Sequence, residues 1–175
     1  MTPLELAAQV ERDRSAQKRI AAQSAPEHAR GPLLARIEIP RRIVPYVRIP
    51  HAAKHSKRAK RYHASQNMLA MELRAGLRAA GIFGTIAERI RVGVEVYVTP
   101  CASGPNKGGF RANEGDWDNY FKAVVDAMKH HGLIEEDNMA RVAGPGPGSG
   151  AYLAERERVV VTIWAADAAE TMEEL

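Results

Sequence analysis

RIRVGVEVYV, residues 89–98, alternates without a break: Ile90, Val92, Val94, Val96 and Val98 fall on one side of an extended chain. β-Branched residues at period two mark a strand with one buried face. After the Gly-rich stretch PCASGPNKGGFRANEG (100–115), GDWDNYFKAVVDAMKHHG (115–132) is the clearest helix in the chain. Asp116 is placed to cap it and Gly132 to stop it, while Phe121, Val124, Val125 and Met128 form a face that packs on a sheet. A buried-face strand joined to an amphipathic helix sets the layer architecture of the rest.

Working outward, a second helix is expected from Ser65, with Met68, Leu69, Met71, Leu73 and Leu77 as a broad apolar face and Gly81 as its end. ARIEIPRRIVPYVRIP (35–50) predicts one or two short strands, confined to edges or bounded by Pro40, Pro45 and Pro50. HAAKHSKRAKRYHAS (51–65) reads as a basic loop or helix entry. LIEEDNMARV (133–142) predicts a turn leading into a short strand, and AGPGPGSG (143–150) a mobile connection of no assigned conformation. AYLAERERVVVTIW (151–164) ends in a strand with Val159, Val161 and Ile163 facing one way, and Trp164 and the methionines at 68 and 71 are expected in the core. The class is α/β (α+β): one layer domain with a mixed β-sheet packed by helices. Residues 1–30 are expected to be a helical or flexible extension, 31–165 the domain, and 166–175 an acidic tail.

At 175 residues, 45% hydrophobic and 26% charged, the chain has the composition of one globular domain. A single cysteine, Cys101, excludes an internal disulfide and a cysteine-based zinc site. No apolar run is long enough to span a membrane and the N-terminus lacks a signal-peptide core, so a cytoplasmic protein is expected. The net charge of +4 hides an asymmetry: residues 1–100 hold 18 Lys/Arg against 8 Asp/Glu, and residues 101–175 hold 7 against 13. Such a split means either mutual attraction or an anionic partner for one half and a cation for the other.

The acids are concentrated around one helix. Asp116 and Asp118 crowd its positive end, Lys122 follows Asp118 one turn later on the same face, and Asp126 extends that row. After the chain reverses at Gly132 comes a second acidic cluster, Glu135, Glu136 and Asp137, of which Asp137 can return toward the helix if 139–142 is a strand beside it. Carboxylates from two elements make a hard oxygen site of the kind that suits Mg²⁺, with a lysine near by to stabilise charge building on a phosphoryl group. Taken singly, each piece has an ordinary explanation: a helix cap, a surface ion pair and a solvated turn. Their conjunction favours the metal site.

GDWDNYFKAVVDAMKHHGLIEEDNMARV strongly resembles the signature of the RusA family of Holliday junction resolvases. The resemblance implies a small homodimeric, Mg²⁺-dependent endodeoxyribonuclease of phage or prophage type, with Mn²⁺ as a substitute metal. It maps Asp116 and Asp118 onto the paired catalytic aspartates, Lys122 onto the essential lysine and Asp137 onto the third metal-site aspartate. Glu136 takes the first place of the acidic pair, and Asn119 and Val142 also fit. Trp117 departs from the pattern, standing where the family more often has an aliphatic residue. The Pro-Pro-x-x-Asn-like segment common near the family's N-terminus is not evident.

The basic segment fits a DNA partner. Lys54, Lys57, Arg58, Lys60 and Arg61 lie within eight residues, and five phosphate contacts would give a steep salt dependence. Arg41, Arg42 and Arg48 would widen this patch, while Lys107 and Arg111 precede Asp116 and would hold the strand near the metal. The histidines are expected on the surface. The expected function is a structure-selective nuclease that makes paired nicks in four-way or branched DNA during recombination and repair, as a C₂ dimer associated with DNA in the cytoplasm. Three alternatives stand beside it: a less selective branched-DNA or flap nuclease, a non-catalytic DNA-binding relative, and a purely structural ion-pair scaffold.

Overall fold

The computed structural model describes residues 31–46, 55–104, 107–110, 116–138 and 141–166. The expected N-terminal extension, the acidic tail from Asp167, and Arg48, Lys54 and Arg111 lie outside the described residues.

Among the described residues the elements run β1 (Leu33–Ile39), α1 (Lys57–Ala79), β2 (Ile90–Val98), α2 (Trp117–His130), β3 (Val142–Pro145), β4 (Gly150–Leu153) and β5 (Arg158–Ala165). They build an open mixed sheet packed with two helices, an α+β fold. The sheet order is β1-β5-β2-β3, and β4 also pairs with β2. β5 is antiparallel to both β1 and β2, whereas β3 and β4 run parallel to β2.

The register explains the alternation. Ile37 is opposite Val161, which is opposite Val94; Ile39, Val159 and Val96 form the next row. All six are at most 6% exposed, and the helices supply Leu69, Leu73, Leu77, Val124 and Met128 to the same core. α1 comes close to β1 because Gly76 offers no side chain: a Cβ there would meet Ile37 Cγ1 at 2.6 Å. Both helices end in the same motif. Gly81 (φ 82°) donates to Arg78 O and Ile82 to Leu77 O; Gly132 (φ 65°) donates to Lys129 O and Leu133 to Met128 O. These paired bonds satisfy the last carbonyls, and the positive φ makes glycine the residue of choice.

Four expectations change. α1 starts at Lys57, eight positions before Ser65, because the Ser56 hydroxyl accepts from Ala59 N at 3.2 Å and caps the basic segment as helix. Met68 and Met71 are 52% and 72% exposed, since the buried face is set by Tyr62, Leu69, Leu73 and Leu77 and rotates both methionines away from it. The Gly/Pro segment 143–150 has a definite conformation: it is mostly β3, a turn at 147–148 and the start of β4, laid along one edge of β2. Trp164 is only half-buried, and it lies on the sheet face opposite the helices, where a Cβ on Gly146 or Gly93 would come within 2.3 or 2.8 Å of its ring. The residues 41–46 that follow β1 form no second strand, consistent with the prolines on either side. Among the described residues, no helix is long and apolar enough to cross a membrane.

Candidate active site

β3 and β4 leave a gap between them along β2, and the gap positions the start of α2. At Val94 the backbone finds no strand partner on that side. Its N–H donates to the Ser149 hydroxyl at 3.2 Å, and its carbonyl accepts from the Trp117 indole N–H at 3.1 Å. Trp117 is the first residue of α2 and stands between Asp116 and Asp118, so this bond ties the acidic turn to the sheet. A second tie comes from the chain after β1, where Tyr46 N donates to Asn119 O at 2.8 Å. Tyr120, 1% exposed, supplies the apolar anchor. Trp117, the departure from the family pattern, thus ties the acidic turn to the sheet through its indole N–H. A tryptophan where an aliphatic residue is usual was the available signal.

Asp116 occupies the N-cap position with extended backbone (φ −73°, ψ 147°), yet its side chain makes no cap hydrogen bond. Asp118 and Lys122 do not form the i, i+4 ion pair that their spacing allows; neither has an ion-pair partner among the described residues. Neither the cap hydrogen bond nor the ion pair is made in this geometry, although both acids still face the positive end of α2. The two carboxylates and the ammonium are exposed, and Lys122 Nζ stands 5.0 Å from the centroid of the Tyr46 ring.

Asp137 returns to α2, as the reversal at Gly132 requires, but it meets the helix near its C-terminal end. Lys129 Nζ donates to Asp137 Oδ1 at 2.7 Å and lies 3.1 Å from Glu136 Oε2. The hydrogen bond from Lys129 holds the Asp137 carboxyl below the usual carboxylate range, and the bonds to Asp137 and Glu136 hold the Lys129 ammonium above the usual lysine value. Asp126, half-buried between the helices, shifts the other way: desolvation raises it, with Asp137 adding to the rise and His130, Lys122 and Lys129 opposing it. Among the described residues no group of three or more His, Cys, Asp or Glu side chains comes together as a metal cage. The structure thus brings Asp116 and Asp118 together with Lys122 on one helix turn and the next, and keeps Asp137 on Lys129.

The donor set still suits a hard divalent ion. Mg²⁺ takes only one or two carboxylates and fills its octahedron with water and substrate phosphate, and Asp116 and Asp118 are two exposed oxygen donors not tied to any described side chain.

The basic residues divide. Lys57, Arg58, Lys60 and Arg61 are exposed on the first turns of α1, and Lys107 is exposed in the loop before α2. Arg41 is engaged by Glu72 through two bonds of 3.1 and 2.9 Å, and Arg42 approaches Glu157 at 3.9 Å, so both already face carboxylates. His55, His63 and His130 are exposed, as anticipated, while His131, also expected on the surface, is half-buried.

The fold is an α+β sheet domain that presents two acids at the start of α2, a lysine one turn on, and a run of exposed cations at the start of α1. The family description "Endodeoxyribonuclease RusA" matches residues 41–163, more than half of the chain, and the chain belongs to this family of endodeoxyribonucleases. No curated protein matches it.

Proposed function

We propose that the protein is a Holliday junction resolvase: a Mg²⁺-dependent, structure-selective endodeoxyribonuclease that nicks two opposed strands of a four-way DNA junction. One observation carries the reading. Asp116, Asp118 and Lys122 are exposed at the start of a firmly anchored helix and spend none of their charge on a cap bond or an ion pair among the described residues.

In this reading Asp116 and Asp118 hold the metal, and Asp137, bonded to Lys129 near the other end of α2, is the third acid that the family resemblance implies. Bound Mg²⁺ supplies Lewis acidity toward a phosphoryl oxygen and a lowered pKa for the attacking water. The chain's own residues do the rest. Lys122 places a positive charge where negative charge develops on the scissile phosphate. Trp117 and Tyr46 prevent the acidic turn from shifting, so that alignment is set before the DNA arrives. Lys57, Arg58, Lys60 and Arg61 take the phosphate backbone. They occupy the positive end of α1, which has no acidic residue in its first turn; this placement works against the helix dipole and favours an anionic partner. Two nicks from one site per chain call for a C₂ pair of chains.

The test is Asp118→Asn on a synthetic four-way junction. Nicking in Mg²⁺ should disappear while junction affinity in Ca²⁺ stays within about twofold, since charge removal at the metal site touches the chemistry rather than the phosphate contacts. A variant that cleaves at the wild-type rate sinks the assignment. Flap and linear duplex substrates run in parallel decide whether the selectivity is for junctions.

A further inference from the structure

We propose that Tyr46, braced by Tyr62, is a positioning residue that fixes Lys122 against the acidic turn of α2; the inference rests on reading Lys122 as the phosphate-stabilising group. The Lys122 ammonium is 5.0 Å from the Tyr46 ring centroid, within the range where an aromatic quadrupole attracts a cation. Nothing else among the described residues pairs with that ammonium, although its charge reaches the Asp126 carboxyl one turn further along α2. A lysine on a flexible four-carbon stem has no defined position without such a contact.

Tyr46 is itself held at two points. Its backbone N–H donates to Asn119 O at 2.8 Å, and Asn119 directly follows Asp118. Its ring meets Tyr62 edge-on, with centroids 6.2 Å apart and planes at 87°. The ring under the lysine is therefore fastened to the same helix turn that carries the carboxylates, and the spacing from ammonium to acids is carried by one residue. Tyr62 is 7% exposed, and its hydroxyl faces Asp126 closely enough for burial and the carboxylate charge to push it upward. That hydroxyl nevertheless lacks a partner in hydrogen-bond geometry, so the firm contact Tyr62 makes here is through its ring. Nothing in the spacing of the sequence links Tyr46 or Tyr62 to Lys122.

Single-turnover nicking in Mg²⁺, junction affinity in Ca²⁺ and thermal melting of Tyr46→Leu, Tyr46→Phe and Lys122→Met separate the possibilities. Tyr46→Leu should slow nicking by about tenfold, with affinity within about twofold, and Tyr46→Phe, which keeps the ring face, should restore the rate. Wild-type nicking by Tyr46→Leu overturns the proposal, as does a Tyr46→Phe variant as slow as Tyr46→Leu. If Tyr46→Leu does not fold, the wild-type protein decides: with labelled lysine, the Lys122 Hε resonances should be shifted upfield by the ring, and an unshifted pair overturns the proposal. Lys122→Met tests the underlying reading separately. If it nicks normally, the role of the lysine fails; if it is inactive while Tyr46→Leu is fully active, only the positioning role fails.

Discussion

Lys129 donates to Asp137 Oδ1 across 2.7 Å, so the acid we read as a third metal ligand is held by the helix that carries Asp116 and Asp118, near the opposite end. Glu136 shares the same ammonium at 3.1 Å. Breaking this contact should make Asp137 available to a metal. Lys129→Met should lower the Mg²⁺ concentration for half-maximal nicking several-fold, read from a titration of cleavage against Mg²⁺. An unchanged midpoint would show that Asp137 does not limit metal binding.

The same pair makes a pH prediction. Asp137 is depressed by Lys129, so its contribution to stability exists above the unfolded carboxyl value of about 3.9 and is lost as pH falls through the lower folded value. Lys129 is raised, so its contribution exists below the unfolded lysine value of about 10.4 and is lost as pH rises through the higher folded one. Urea melts of wild type and Lys129→Met should therefore differ most at neutral pH and converge toward both extremes.

Trp117→Leu restores the aliphatic residue usual in the family and removes the indole donor from Val94 O. An orphaned strand carbonyl costs about 1–3 kcal/mol. Denaturant unfolding should show that loss, and nicking should fall more than DNA affinity because the acidic turn loosens.

Changing Lys57, Arg58, Lys60 and Arg61 together to Gln should reduce the slope of log affinity against log salt by up to about 3.6. The melting temperature should hold or rise, because four cations leave the positive end of α1. A variant with the wild-type slope would place the DNA elsewhere.

Gly146→Ala should destabilise the protein by about 1–3 kcal/mol, as overpacking does in a filled site. The new Cβ would lie 2.3 Å from Trp164 Cζ3 and 2.9 Å from Gly93 N, and the second of these is backbone that cannot swing aside. Thermal melting measures the effect, and Gly81→Ala, at an open site with φ 82°, provides a comparison that tests backbone strain alone.

Much of this protein is legible in local pattern. The alternation of β2 and β5, the apolar stripe of α2 and the glycines after each helix report burial and backbone conformation directly, because each depends on neighbours within a few positions. The pair Asp116 and Asp118, with Lys122 one turn on, is legible for the same reason. For the start of α1 the sequence left loop and helix entry open, because a run of cations suits either until the Ser56 cap is seen.

Tertiary structure decided which charges remain available. Sequence counts Arg41, Arg42 and Lys129 with the other cations, but the fold sets each beside a carboxylate. It also decided what holds the site: Val94 O and Tyr46 reach α2 from remote parts of the chain. Periodicity carries no information about such contacts. They exist only because the gap along β2 and the segment after β1 bring those atoms to the same helix turn, and there the acidic pair acquires a fixed place.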